Sequence, residues 1–452
     1  MIGDHLIDLL PHDRLIVVCG RRDDAATWRE LLGPDRCLAL PLDTAPLLPA
    51  RVLSGATEQL AWQHQVIADL DRSGWLTAQA DAFDPRREAT LLFPDPLDPP
   101  EWGTRHRDGH RSPMLRVLEN KTVVDSVWDA IGVRRAPSIV TDLPADLATL
   151  GLSVDAGAGV VCAVQSPHGT PSAGGDGIHW WHSKPPARAD VAAKGTRVRL
   201  MPMLVGLPIR LHGLVTGQDA IAFPPLELVA PIRVDRGTFL SVGAVPTLPD
   251  HDELLAATGR AGEVLRGRLG YRGAFSIDGV LTAAGFRPTD LNTRLTSAME
   301  AAPSALRVRL HLANVLARDG VDVDRETLSA LAQNIFGAPQ TYTLYGAAGS
   351  ANDRPRDVLV RWRGDRLVVA YDDQIHGRLA ITPSLRGWLL TATLQRSNLP
   401  AGPLNRLAPQ IFELSDAILG TDFGDLMAPD DLPGPRRPVE AHPQPAQARE
   451  VG

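Results

Sequence analysis

Lysine is almost missing from this chain: among 46 basic residues only Lys121, Lys184 and Lys194 are lysines, the rest being arginine. A residue type this scarce marks positions worth examining. Cysteine is scarce too, and Cys19, Cys37 and Cys162 form an odd, unpatterned set that excludes a disulfide framework and a zinc site; reduced thiols in the core are expected. No uninterrupted apolar stretch reaches membrane-spanning length, and the start MIGDHLIDLLPHDR has neither a basic region nor a long apolar run. No membrane partner or anchor is expected, and the cytoplasm is the expected compartment. Basic runs interleaved with aromatics are also absent, and the net charge is −7, so no nucleic-acid partner is expected. What is present is ordinary globular material: 452 residues, 44% hydrophobic and 22% charged, enough for two or three cores.

The amino-terminal part reads as α/β. Strands are predicted over residues 14–20, 37–42 and 89–93 and helices over 25–32 and 58–70, giving a small parallel domain with Gly20-Arg21-Arg22 at a strand end. There a guanidinium could take a substrate carboxylate in bidentate fashion, although a solvated loop explains the same residues. WGTRHRDGHRSP, residues 102–113, reads as a polar linker. Its His106 and His110 have helical spacing, but Gly109 and the lack of a metal pattern around them exclude zinc.

The richest segment is GYRGAFSIDGVLTAAGFRPTDLNTR, residues 270–294. Residues 275–278 alternate as a half-buried strand, 283–285 supply a turn, and a return strand begins at Phe286. Asp278 and Asp290 can then face each other, and Asn292, two residues on, leaves the same face as Asp290. Two carboxylates and an amide oxygen suit Mg²⁺ under a triphosphate; a polar hairpin face on a solvated sheet is the alternative. Upstream, Lys121 precedes an apolar stripe (Val123, Val124, Val127, Ile131 and Val133) and is expected at a helix start, where a compact ammonium and free N–H groups suit a phosphate oxygen. A strand over 160–165 leads into a loop carrying Gly169, Ser172, Gly174, Gly175 and Gly177, then a strand through Trp180 and Trp181. That is the form of a phosphate-covering flap, or of a plain mobile hairpin. It is not a P-loop, because no G-x-x-x-x-G-K-[ST] is present. Two further strands flank a turn at Gly206, with Met201, Met203 and Leu204 able to form a slot for a purine or simply a core.

In this order the pieces resemble the ATP-grasp superfamily, across roughly Lys121 to Arg294. The resemblance implies ATP held with Mg²⁺ between two α+β lobes and a carboxylate joined to an amine. It places Lys121 and the loop from Gly169 to Gly177 on the phosphates, Met201 to Gly206 at the adenine, and Asp278, Asp290 and Asn292 on the metal. The twelve-residue step from Asp278 to Asp290 is similar to that of D-alanine–D-alanine ligase-like members. Departures are informative. Gln165 stands where a second phosphate-binding lysine is common, with Lys184 or Arg210 as candidates to supply the charge; Asp290 stands for the usual glutamate; Pro208 lies where a ribose-binding acid is often found. Gln165, with the unusual amino-terminal domain, also resembles peptide ligases of the pheganomycin-biosynthesis type. Arg294 is the candidate for neutralising phosphate or acyl-phosphate charge.

The expected architecture is therefore multidomain α/β and α+β. Residues 1–113 form the α/β domain, 114–205 and 206–335 the two lobes of an ATP-grasp fold, 336–427 a carboxy-terminal α+β domain, and 428–452 a disordered tail. A capping box of Asp250 and Glu253 is expected to open a helix that ends at Leu269. The expected activity is an ATP-dependent ligase making an amide or peptide bond through an acyl phosphate, with a homodimer as a family-level implication. An ATP-grasp kinase and a non-catalytic nucleotide-binding protein are the alternatives.

Overall fold

The computed structural model describes residues 4–10, 14–20, 22–43, 47, 49, 51–93, 97, 101–109, 111–165, 174–246, 252–296, 302–337, 339–352, 354 and 356–432. Strand β1 (Leu15–Cys19) is buried at every position, as expected of a parallel strand covered on both faces. It pairs in parallel with β2 (Cys37–Pro41) and β3 (Thr90–Leu92). Helices α1 (Arg22–Leu32), α2 (Ala56–Ala68) and α3 (Gly74–Phe83) complete the predicted α/β domain. Residues 102–113 are more than a linker. His106–Arg107 form β4, a fourth parallel strand on β3, so His106 is not helical, and His110 lies outside the described residues. Trp102 and Arg105 are buried, and Arg105 ion-pairs with Asp84 at 3.0 Å and with Asp81 at 2.8 Å. Those carboxylates are what let a polar sequence enter the core. The three cysteines are buried and free, and burial pushes Cys37 and Cys162 up to about 12, which leaves them protonated thiols.

Next come α4 (Pro113–Arg116), α5 (Val124–Ile131), β5 (Ile139–Asp142), α6 (Leu147–Val154), β6 (Val160–Val164), β7 (Ile178–Trp181), α7 (Arg188–Ala192) and β8 (Arg197–Pro202). The chain then crosses through Gly206 into β9 (Leu207–Val215), β10 (Ala220–Ala222), β11 (Leu226–Val229), β12 (Ile232–Arg233), β13 (Thr238–Phe239) and β14 (Gly243–Val245). After α8 (Asp252–Leu269) come β15 (Gly273–Thr282), β16 (Gly285–Asn292), α9 (Ser304–Arg318) and α10 (Arg325–Phe336). Asp250 of the expected capping box is outside the described residues. The carboxy-terminal elements are β17 (Thr341–Ala348), β18 (Arg356–Arg363), β19 (Arg366–Val369), β20 (Gly377–Ser384), β21 (Gly387–Gln395), α11 (Leu404–Leu419) and β22 (Leu426–Met427).

Three antiparallel sheets follow the parallel one among the described residues. The first lobe's sheet runs β22-β12-β13-β7-β6-β8-β5, the second lobe's β14-β11-β9-β15-β16 with β10 on β9, and the last β17-β21-β20-β18-β19. Thus β12, β13 and β22 lie outside residues 114–205 yet extend the first lobe's sheet. Helix α5 spans the lobes in a different way: its Val124, Trp128 and Ile131 sit in one core with Ile209, Leu211, Phe275 and Leu291. Buried Glu227 on β11 fixes the carboxy-terminal domain, accepting from the backbone N–H groups of Leu404 (3.1 Å) and Asn405 (2.6 Å) at the start of α11. A carboxylate there satisfies orphan donors and the helix dipole together. The first residues of the expected tail are packed instead: Ala428 and Leu432 are buried and Asp430 bonds Arg406 at 2.5 Å. Residues 433–452 lie outside the described residues. No described helix is long and apolar enough to cross a membrane.

Candidate functional site

Three adjacent strands of the second lobe build the site. In register, Arg210 on β9 lies opposite Asp278 on β15, and Asp278 lies opposite Asp290 on β16; one step along, His212, Ser276 and Asn292 form a parallel row. Because side chains alternate across a strand, positions two apart share a face, so both rows project to one side of the sheet. The facing acids predicted from the sequence are therefore direct cross-strand neighbours. Like charges opposite one another repel and need compensation, and the chain supplies it from two directions. Arg210 grips Asp278 with a fork, Nε to Oδ1 at 2.6 Å and Nη2 to Oδ2 at 2.8 Å. Lys121 ion-pairs with Asp290 Oδ2. Arg294 donates from Nη2 to Asn292 Oδ1 at 3.0 Å.

Burial alone would push the Asp278 carboxyl up, but the charge and hydrogen bonds of Arg210, with Lys121 behind them, hold it below the usual carboxylate range. Asp290 goes the other way. Burial raises it, Lys121 opposes the rise, and Asp278 across the ladder adds to it. Two carboxyls on one face are thus driven apart in proton affinity by which cation each one holds.

Lys121 lies in a turn, with α5 beginning three residues later at Val124, so the expected helix start is displaced. Just before it, Glu119 gathers the surroundings. It accepts from Arg111 Nη1 at 2.7 Å, from Arg294 Nε at 3.2 Å and from the Thr293 backbone N–H at 3.1 Å. Sequence reading passed over this residue, although it stands two places from the scarce lysine. It also passed over Arg199. That side chain is buried on β8, ion-pairs with Asp125 of α5 and donates from Nη1 to the Thr289 carbonyl at 3.0 Å. The β15–β16 register shifts at Asp278/Gly279, and Thr289 is the residue skipped in the pairing, so Arg199 holds the bulge next to Asp290 from the other lobe. Bulges re-aim side chains.

Other expected positions are placed as follows. Gln165 directly follows β6, its Oε1 3.3 Å from Thr122 Oγ1. Lys184 is exposed beyond β7, whereas Arg210 is at the carboxylates. Gly169 and Ser172 lie outside the described residues. Gly174, Gly175 and Gly177 form the rest of the loop, at φ 63°, 83° and 82°, a left-handed backbone that favours glycine. Between them Asp176 accepts from the Thr57 N–H at 3.0 Å, tying this end of the loop to the start of α2. Met201, Met203 and Leu204 are buried, the two methionines in a small cluster with Val161 and Ile232 and beside half-buried Trp180.

The donors suit a hard cation such as Mg²⁺, and one feature tests the fit: Asp290 Oδ1 is buried with no hydrogen-bond partner, an oxygen left for an ion. Among the described residues no group of three or more His, Cys, Asp or Glu could hold a metal, so Asn292 and ligand oxygens would have to complete the shell.

His212, behind the carboxylates, is a further buried titratable group. Burial, then Arg210, pushes it down to about 3, so it is neutral in the fold; its Nε2 lies 2.9 Å from Thr296 Oγ1. A histidine depressed when folded stabilises the protein above its unfolded value of 6.5, and that stability is lost as pH falls towards about 3. Between pH 6.5 and 5 the expected loss is about 1.5 kcal/mol. Urea midpoints at the two pH values check it, and an equal loss in His212→Gln would dismiss the assignment.

No protein-family model matches this chain, and no curated protein matches it either. Solved structures do resemble it. An N5-carboxyaminoimidazole synthase from Aspergillus clavatus, in complex with ADP and 5-aminoimidazole ribonucleotide, is similar at 12% identity over 90% of this chain and 98% of that one, with a TM-score of 0.45. An L-amino acid ligase from Bacillus licheniformis is similar at 11% identity over 92% and 98%, with a TM-score of 0.45. The biotin carboxylase domain of the Hydrogenobacter thermophilus 2-oxoglutarate carboxylase, with MgADP and bicarbonate, gives 11% identity over 93% and 88%, and a TM-score of 0.43.

Proposed function

We propose that this protein is an ATP- and Mg²⁺-dependent ligase of ATP-grasp type that joins a carboxylate to an amine, with amino acids or peptides as substrates. The observation that carries the reading is the row Arg210, Asp278, Asp290 across three strands, met by Lys121 from the first lobe. Two acids and two bases converging on one sheet face, with an orphan carboxylate oxygen among them, suit a metal–triphosphate better than a surface hairpin.

Asp290 and Asn292 would hold Mg²⁺, with Asp278 in its fork with Arg210 alongside, and the ion would supply charge neutralisation across the phosphates. Lys121, on exchanging Asp290 for a phosphate oxygen, and Arg294 would stabilise charge on the transferring group. Residues 169–177 would cover the phosphates and exclude water, and Met201, Met203 and Leu204 would bound the purine. A substrate carboxylate oxygen attacks the γ-phosphorus as the bond to ADP breaks. The amine nitrogen then attacks the acyl carbon, phosphate leaves, and the nitrogen gives up a proton. A role in peptide or secondary-metabolite biosynthesis, a cytoplasmic location and a homodimer belong to the same proposal.

Purified protein with ATP, Mg²⁺ and a pool of amino acids and short peptides should release ADP and phosphate only when an amine is present, with a product lighter by one water than its two substrates. Mass spectrometry alongside ADP release reads this. A phosphorylated product formed without an amine would replace the ligase by a kinase.

A further inference from the structure

We infer that Arg210 is a resident cation standing in for a second divalent ion, so that the nucleotide complex of this chain carries one divalent cation, on Asp290 and Asn292. The inference rests on the ligase reading and narrows how its site is filled. Both oxygens of Asp278 are engaged by the Arg210 fork. The fork is built into the sheet, since Arg210 and Asp278 are register partners on neighbouring strands and both are largely buried. Asp278 therefore already answers a fixed positive charge on both its oxygens, and that charge opposes a second divalent ion at the same carboxylate. The remaining protein donors are Asp290 Oδ1, which has no hydrogen-bond partner, and the amide oxygen of Asn292, which accepts from Arg294 Nη2 and keeps a second lone pair. With phosphate oxygens and water these complete one octahedral shell.

Arg210 itself is equipped for the other half of the task. It uses Nε and Nη2 on Asp278, and Nη1 has no hydrogen-bond partner among the described residues. A guanidinium is always charged, weakly hydrated and able to bind phosphate oxygens while its fork stays on a carboxylate. It would supply at the triphosphate a positive charge that never dissociates.

The test counts ions. Full-length protein saturated with a non-hydrolysable ATP analogue is titrated with Mn²⁺, free Mn²⁺ is followed by electron paramagnetic resonance, and nucleotide binding is measured separately by calorimetry. One Mn²⁺ per bound nucleotide is expected. Two per bound nucleotide overturns the inference and leaves the ligase reading standing, whereas absence of nucleotide binding removes both. Arg210→Met combined with Asp278→Asn takes out the buried pair together, leaving no lone charge. It should weaken nucleotide binding by about tenfold to a hundredfold. Wild-type affinity in a variant with the wild-type circular dichroism spectrum would also overturn it. If that variant does not fold, the ion count on the wild-type protein decides alone.

Discussion

Asp290→Asn is expected to fold normally and to lose ligase turnover by on the order of a thousandfold. The amide keeps the size of the side chain and one carbonyl oxygen, so packing against the β15–β16 ladder is preserved. Two things are lost. Oδ1, the buried oxygen with no protein partner, ceases to be an anionic donor to the ion, and Lys121 loses the carboxylate that positions it. Both changes remove charge from the place where phosphoryl transfer develops it. Stability should move by no more than about 1 kcal/mol, because an end to the burial penalty that raises this carboxyl offsets the lost pairing with Lys121. ADP release and a urea midpoint measured on the same preparation separate the two effects. A fully active Asp290→Asn protein would remove the metal assignment.

Glu119→Gln should cost about 3–5 kcal/mol of folding stability, the usual consequence of taking one partner from a buried charge cluster. Arg111 and Arg294 both converge on this carboxylate, and its side chain is only 12% exposed. Burial favours the neutral acid, yet the two guanidiniums and the hydrogen bonds from Arg294 and Thr293 hold Glu119 below its ordinary value of 4.5. A depressed carboxyl contributes stability above the unfolded value and loses it as pH falls through the folded one, so the difference between the two proteins should be full at pH 7 and shrink below pH 4.5. Urea unfolding at pH 7 and pH 4 reads both features. A cost under about 1 kcal/mol at pH 7 would mean that the cluster is solvated and does not tie the Lys121 turn to β16.

The site divides clearly into what could be read locally and what could not. Asp278, Asp290 and Asn292 were readable because a hairpin is a local structure whose alternation and turn assign faces without knowledge of the rest of the chain. Lys121 stood out through scarcity alone. The glycines of the loop were readable as turn formers, and Gly174, Gly175 and Gly177 do adopt the left-handed backbone. Arg199, Glu119 and His212 were not readable. Each sits on a segment with an ordinary pattern, and each matters through a partner far away in sequence: Arg199 through Thr289, Glu119 through Arg294, His212 through Thr296.

By itself the sequence determined the α/β opening, the two acids facing across a hairpin, the buried thiols and the strands on either side of Gly206, all set by periodicity and turn chemistry acting over a few residues. Tertiary structure alone decided that His106 and Arg107 join the first sheet, that β12, β13 and β22 cross into the first lobe's sheet, and that Ala428 and Leu432 are buried. It alone decided which cation answers which carboxylate as well. The physical reason is the same in each case: pairing a buried charge or an edge strand depends on what the rest of the chain brings within about 3 Å, and local pattern carries no record of that choice.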